Sequence, residues 1–160
     1  CMLDAIEEMS GKVIIWARFR HDIISITNAL RKKYGYASTV NYFGDTSEKD
    51  RQDAILGIEN DPTVRFFVAN PQTGGRGLTL IKATNVIYFS NDFDLEKRIQ
   101  SEDRNHRSGQ KNQVVYVDLI AKGTIDEYIV KVLQNKIVLA GKALNEEAKK
   151  WLQVSPKKDN

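Results

Sequence analysis

Apolar residues along this chain come in two arrangements: short unbroken runs, and longer stretches in which they recur every three or four positions. Lys12-Val13-Ile14-Ile15-Trp16-Ala17 is a run of the first kind, rich in β-branched residues, and predicts a strand buried on both faces of a sheet. Over residues 19–34 the spacing of Ile23, Ile26, Leu30 and Tyr34 predicts a helix that Gly35 stops. Residues 37–42 read as a second strand and Gly44-Asp45-Thr46 as a turn. Ser47 then caps a helix that carries Ala54, Ile55 and Ile58 and ends at Asn60-Asp61-Pro62. Further strands are expected at residues 64–69, 85–90 and 113–120, with a helix over residues 95–110, closed by Gly109, between the last two. Leu3, Ile6 and Met9 recur at helical spacing ahead of the first strand, as the end of a helix whose beginning lies upstream, so a fragment of a longer protein is expected. Beyond Gly123, Thr124 caps a helix with Glu127 completing a capping box, and Ile125, Ile129, Val132 and Leu133 form its buried stripe. A second helical stretch covers residues 137–152, and the Ser155-Pro156-Lys157-Lys158 tail reads as disordered. Strands alternating with helices imply an α/β fold with a parallel sheet covered on both sides, because right-handed crossovers place helices on both faces.

Composition narrows the class. The 160 residues, 41% hydrophobic and 28% charged, suit one compact domain. A net charge of +3 permits contact with a polyanion without requiring it. No apolar run approaches bilayer length and the N-terminus lacks the layout of a secretion signal. The expectation is therefore an intracellular protein, in the cytoplasm of a prokaryote or a virus-infected cell, or in a nucleus. Cys1 is the only cysteine, which excludes an internal disulfide and a Cys-rich zinc site. His21 and His106 lie far apart in sequence, so no metal site is expected in this chain.

Candidate chemistry concentrates in the helix expected over residues 95–110. Residues four and seven apart return to nearly the same bearing, so Gln100, Arg104 and Arg107 would share one face. Like charges three residues apart repel by a few tenths of a kcal/mol on an exposed helix, and an anion such as a triphosphate between them removes that cost. The alternative is an ordinary solvated face on which Asp103 pairs with Arg107. A second candidate is Gln72-Thr73-Gly74-Gly75-Arg76-Gly77-Leu78-Thr79, which leaves the carboxyl end of an apolar strand, where ligands of open parallel sheets collect. Its glycines let the backbone approach a phosphate, or simply turn sharply. The spacing G-x-G-x-x-G is absent, and neither Gly11-Lys12 nor Gly141-Lys142 is followed by Ser or Thr, so no phosphate-gripping P-loop is present. Asp126-Glu127 follows Gly123-Thr124-Ile125 rather than an apolar strand, and Glu127 reads as a cap, not a magnesium ligand. The chain thus offers arginines for a phosphate but no group to hold a nucleotide or its metal.

Several motifs in order carry a resemblance. Gln100-x-x-x-Arg104-x-x-Arg107 matches the sixth motif of superfamily-two helicases, and Arg104-Asn105-His106-Arg107-Ser108-Gly109-Gln110 resembles the Swi/Snf-type branch of DNA-dependent ATPases. Val13-Ile14-Ile15-Trp16 is similar to the fourth motif's strand, and Tyr42-Phe43-Gly44-Asp45-Thr46 through Arg51 to the segment after it. Gly74-Gly75-x-Gly77-Leu78-x-Leu80 is similar to the fifth motif, and Lys122-Gly123-Thr124-Ile125-Asp126-Glu127 to that branch's closing segment. The resemblance implies a three-layer RecA-like domain, the second lobe of a two-lobed motor. It divides the chain into the end of a preceding helix or linker (residues 1–10), the lobe (11–135) and a helical extension with its tail (136–160). ATP would be shared with an N-terminal lobe that carries the Walker residues and holds Mg2+. By the same resemblance Arg104 and Arg107 would be arginine fingers, Gln100 would position them, and Gly75 and Gly77 would lie against the nucleotide. Arg18, Thr46, Asn70, Gln72 and Thr73 would contact the nucleic-acid backbone. Two departures stand out: Gln72 occupies a place where many relatives carry arginine, and Asp92-Phe93-Asp94-Leu95 replaces the commoner Asp-Trp-Asn-Pro.

The function implied is the C-terminal motor lobe of an ATP-dependent translocase on double-stranded DNA, inactive as an isolated fragment because Walker A and B motifs are absent. The alternatives are a strand-separating DNA or RNA helicase lobe, or a non-enzymatic nucleic-acid-binding α/β module whose binding would be salt-sensitive and indifferent to ATP.

Overall fold

The computed structural model describes residues 2–44, 46–73, 79–105 and 112–143. Five parallel strands form one sheet in the order β2-β3-β1-β4-β5: β1 (Lys12–Trp16), β2 (Thr39–Tyr42), β3 (Phe66–Ala69), β4 (Ala83–Tyr88) and β5 (Val115–Asp118). The helices are α1 (Met2–Glu7), α2 (Arg20–Tyr34), α3 (Glu48–Asn60), α4 (Leu95–Asp103) and α5 (Ile125–Ala143).

The unbroken apolar runs become strands because both faces are covered. On one face Ile14, Trp16, Phe67, Val86 and Tyr88 pack with Ala54 and Ile58 of α3. On the other, Val13, Ile15, Phe66, Val68 and Ile87 pack with Ile23, Ile26 and Leu30 of α2 and with Met2 and Ile6 of α1. Alternate residues of β1 thus serve opposite cores, and all but Lys12 are buried. Gly35 ends α2 at φ 94°, donating its N–H to the Arg31 carbonyl at 3.0 Å, a conformation that glycine adopts without a Cβ penalty. Ser47 caps α3 as expected, its Oγ accepting from the Asp50 N–H at 3.1 Å.

Element ends differ from the expectation in all five strands and in two helices. Residues 36–38 form a 3-10 turn, so β2 begins at Thr39. The other strands are shorter than, or offset from, their apolar runs, since pairing register, not hydrophobicity, sets where a ladder starts and stops. α4 ends at Asp103 instead of running to Gly109, for reasons given below. α5 is one helix of 19 residues where two stretches were expected, because Gln134-Asn135-Lys136 contains neither glycine nor proline to break it. At its start Thr124 Oγ1 accepts from the Asp126 N–H at 3.2 Å, and the carboxylate that reaches back, to the Ala121 N–H at 3.4 Å, is that of Asp126 rather than Glu127. The turn residue Asp45, residues 144–152 of the second helical stretch expected, and the tail at 155–158 lie outside the described residues. Among the described residues no helix is long and apolar enough to cross a membrane, and no group of His, Cys, Asp and Glu is placed to hold a metal ion.

Candidate functional site at the carboxyl edge of the sheet

Parallel register aligns the final residues of all five strands. Tyr42 pairs with Ala69, Ala69 with Trp16, Trp16 with Tyr88, and Tyr88 with Asp118, so these five form a single row across the edge where ligands of such sheets bind. Neighbours in register point to the same face, and three arginines lie over this row. Arg51 sits 5.6 Å from the Tyr42 ring centre, Arg104 5.1 Å from that of Trp16, and Arg98 3.5 Å from that of Tyr88. Guanidiniums on aromatic faces are attracted by the ring quadrupole, more strongly where water is excluded.

Arg104 is only 5% exposed. Its Nη2 donates to the Pro71 carbonyl at 3.0 Å, so the side chain lies along the rim, next to the loop leaving β3. The chain departs from the helical path here for a reason visible in the bonds. The Arg104 carbonyl accepts from the Leu80 N–H at 2.9 Å, and Asn105 Nδ2 donates to the carbonyl of Leu80 at 3.0 Å and to that of Ala83 at 3.5 Å. These partners belong to the segment leading into β4, and they tie residues 104–105 to the sheet just past the end of α4. Gln100 and Arg104 have different surroundings: Gln100 is exposed and its amide donates to Glu96 Oε1 at 3.0 Å, whereas Arg104 is buried. Arg107, Gly75 and Gly77 lie outside the described residues.

Arg98, which sequence reasoning missed, is the most heavily bonded side chain of α4 and is 12% exposed. Nη1 donates to Asp118 Oδ1 at 2.6 Å and to Asn91 Oδ1 at 3.0 Å, Nη2 to Asp118 Oδ2 at 3.2 Å, and Nε to Glu102. Beside it the Tyr88 hydroxyl and Ser101 Oγ are 2.6 Å apart. Burial opposes the charge on Arg98, but Tyr88, Asp118 and Glu102 outweigh it and hold the guanidinium more firmly protonated than usual. Burial also raises the Glu102 carboxyl above its ordinary range, with Arg98 pulling the other way, and pushes the Tyr88 phenol well above its own.

A cleft of about 30 Å³, room for about two waters, opens between the loops that follow β1, β3 and β4. Arg18, Asn70, Gln72, Ser90, Lys97 and Arg98 line it. The loops are tied together: the Arg18 N–H donates to Ser90 Oγ at 2.8 Å, Asn70 Nδ2 donates to the Arg18 carbonyl at 2.7 Å, and Asn70 Oδ1 accepts from the Gln72 N–H at 2.7 Å. Both ends of the Asn70 amide are thus engaged in fixing backbone. The carboxylates of the Asp92-Phe93-Asp94-Leu95 segment, of which Asp94 is the acidic departure, face the cations of this cleft: Asp92 lies 3.9 Å from Arg18 and 3.3 Å from Lys97, and Asp94 lies 3.4 Å from Lys97. Asp94 also caps α4 through the N–H groups of Glu96 and Lys97; burial works against its charge, but these bonds hold its carboxyl below the usual range. Of the remaining backbone-contact candidates, Thr46 closes the turn after β2, its Oγ1 accepting from the Phe43 N–H at 3.2 Å. The Thr73 N–H donates to the Asn70 carbonyl at 3.2 Å. Neither lines the cleft.

The profile of the helicase conserved C-terminal domain matches residues 1–109. The chain belongs to this family, in its Swi/Snf-type branch. The branch is given by the relatives of this helicase C-terminal domain. The chromatin-remodeling ATPase INO80 of Mycosarcoma maydis is 37% identical over 108 residues, 64% of this chain and 6% of the relative. The TATA-binding protein-associated factor MOT1 of Saccharomyces cerevisiae is 30% identical over 139 residues, 85% of this chain and 7% of the relative. The crystal structure of the C-terminal part of the Fun30 ATPase domain superposes with a TM-score of 0.68 at 30% identity, covering 82% of this chain and 40% of that one. The Sulfolobus solfataricus SWI2/SNF2 ATPase C-terminal domain does so with a TM-score of 0.65 at 26% identity, covering 91% of this chain and 58% of that one. The fold is accordingly the RecA-like C-terminal lobe, and this lobe spans only 6% to 7% of the length of these two curated relatives.

Proposed function

We propose that this helicase C-terminal domain is one half of an ATP-driven translocase on double-stranded DNA, presenting Arg104 and Arg107 to a triphosphate that an N-terminal lobe holds together with Mg2+. One observation supports the reading: Arg104 is buried over Trp16 and bonded to the Pro71 carbonyl, so a fixed cation lies at the carboxyl edge of the sheet, where ligands of such folds collect. A guanidinium fixed in advance stabilises the charge that spreads over the transferred phosphoryl oxygens without reorganising at that moment. Gln100, exposed on α4, is proposed to help position these arginines once the partner lobe closes on this one. Gly75 and Gly77, outside the described residues, are proposed for the nucleotide side as well.

Arg18 and Gln72 in the cleft, with Asn70 fixing their loops and Thr46 and Thr73 along the same edge, are proposed to meet the DNA backbone. Mostly uncharged contacts position a duplex without gripping it tightly, which suits a surface that must release at every step. In the full-length protein, Arg104→Ala should lower ATP hydrolysis by on the order of a thousandfold while nucleotide binding stays within a few-fold. Turnover close to wild type by that variant refutes the assignment. The isolated lobe should not hydrolyse ATP.

A further inference from the structure

We infer that Arg98 is the positioning residue of the motor, holding α4 at one angle on the sheet so that Arg104 reaches the rim in register with the nucleotide; this rests on the function proposed for Arg104. Three neighbouring elements converge on the one guanidinium. Asp118 is the last residue of β5, Asn91 belongs to the loop after β4, and Tyr88 ends β4 beneath the ring-stacked Cζ. Glu102, the fourth partner, sits one turn further along α4 and two residues before Arg104. Four of the five N–H donors of Arg98 are used. A planar fork of this kind fixes direction as well as distance, which a single ammonium cannot do.

The lever is short. Between Glu102 and the point where Arg104 meets Pro71 lies a single residue, Asp103, so a rotation of α4 about its axis passes directly to the Arg104 backbone. The helix itself does not depend on Arg98 alone: the Asp94 cap and the 2.6 Å bond between Tyr88 and Ser101 hold its two ends. Loss of the fork should therefore let α4 shift rather than melt, and a displacement near 1 Å costs on the order of 10- to 100-fold in a positioned reaction.

The test is made in the full-length protein with Arg98→Lys, which keeps a charge and loses the fork. Expected is a kcat reduced 10- to 100-fold, with KM for ATP and the Kd for duplex DNA within about twofold of wild type, at temperatures well below the melting transition. A second variant, Arg98→Met with Glu102→Gln and Asp118→Asn, removes the whole charge set together, so that no buried charge is left uncompensated. It should melt close to wild type and still turn over slowly. Turnover of Arg98→Lys within twofold of wild type overturns the inference, as does recovery of kcat along with stability in the triple variant, since the network would then act through stability alone. Arg104→Ala assayed in parallel separates the two claims. An inactive Arg104→Ala beside a normal Arg98→Lys sinks only the positioning role, whereas an active Arg104→Ala sinks the proposed function beneath it.

Discussion

Asn105→Ala probes the junction that takes the chain out of α4, and its cost can be worked from the bonds. Asn105 is fully buried, and its Nδ2 donates to the Leu80 carbonyl at 3.0 Å. The second contact, 3.5 Å to the Ala83 carbonyl, is too long to contribute much. Truncation removes one good hydrogen bond and leaves the Leu80 carbonyl without its amide donor, a loss of about 2–4 kcal/mol when the bond and the desolvated acceptor are counted together. Against this, Asn105 Oδ1 is buried and accepts no hydrogen bond among the described residues, so its removal returns about 1 kcal/mol. The net destabilisation is about 2 kcal/mol, which in a domain of this size lowers the melting temperature by about 4–8 °C. Chemical denaturation of the wild-type and variant proteins, with equal slopes required of both, measures it. A difference below about 0.5 kcal/mol, the level of an ordinary surface change, would show that the Asn105 amide is not what turns the chain toward β4, and the account of why α4 stops at Asp103 would fail with it.

Two smaller effects follow from local geometry. Ser47→Ala removes the acceptor for the Asp50 N–H and the donor to Asp50 Oδ2 at the start of α3 and should cost about 1 kcal/mol in denaturant unfolding, most of which Ser47→Thr should restore. The Asp61 carboxyl is held below its ordinary range by the Thr63 hydroxyl at 2.7 Å and the Thr63 N–H at 2.8 Å. A folded-state value below the unfolded one means stability that is present above the usual aspartate range and is lost as pH falls from there through the lowered folded-state value. Wild type should therefore exceed Asp61→Asn in stability at neutral pH, and the gap should close in acid; a gap independent of pH would contradict the hydrogen-bond origin of the shift.

The order of elements and the character of the sheet were legible in the residues alone. Val13 to Trp16 and Phe66 to Ala69 read as strands because burial on two faces leaves no polar position to interrupt the run, and that condition holds only where helices cover both sides. Gly35 and Ser47 were equally readable, since a positive φ and an unsatisfied first turn are local demands met by local chemistry. The ordered motifs around Arg104 pointed to the family. Tertiary structure alone decided how α4 ends and what holds it. Asn105 meets Leu80, 25 residues away in sequence, and Arg98 meets Asp118, 20 residues away. Periodicity along one helix carries no information about such partners. The Arg98 pair is brought together by the parallel register that sets Tyr88 beside Asp118, and register is a property of the assembled sheet, reached only when every strand has found its neighbour.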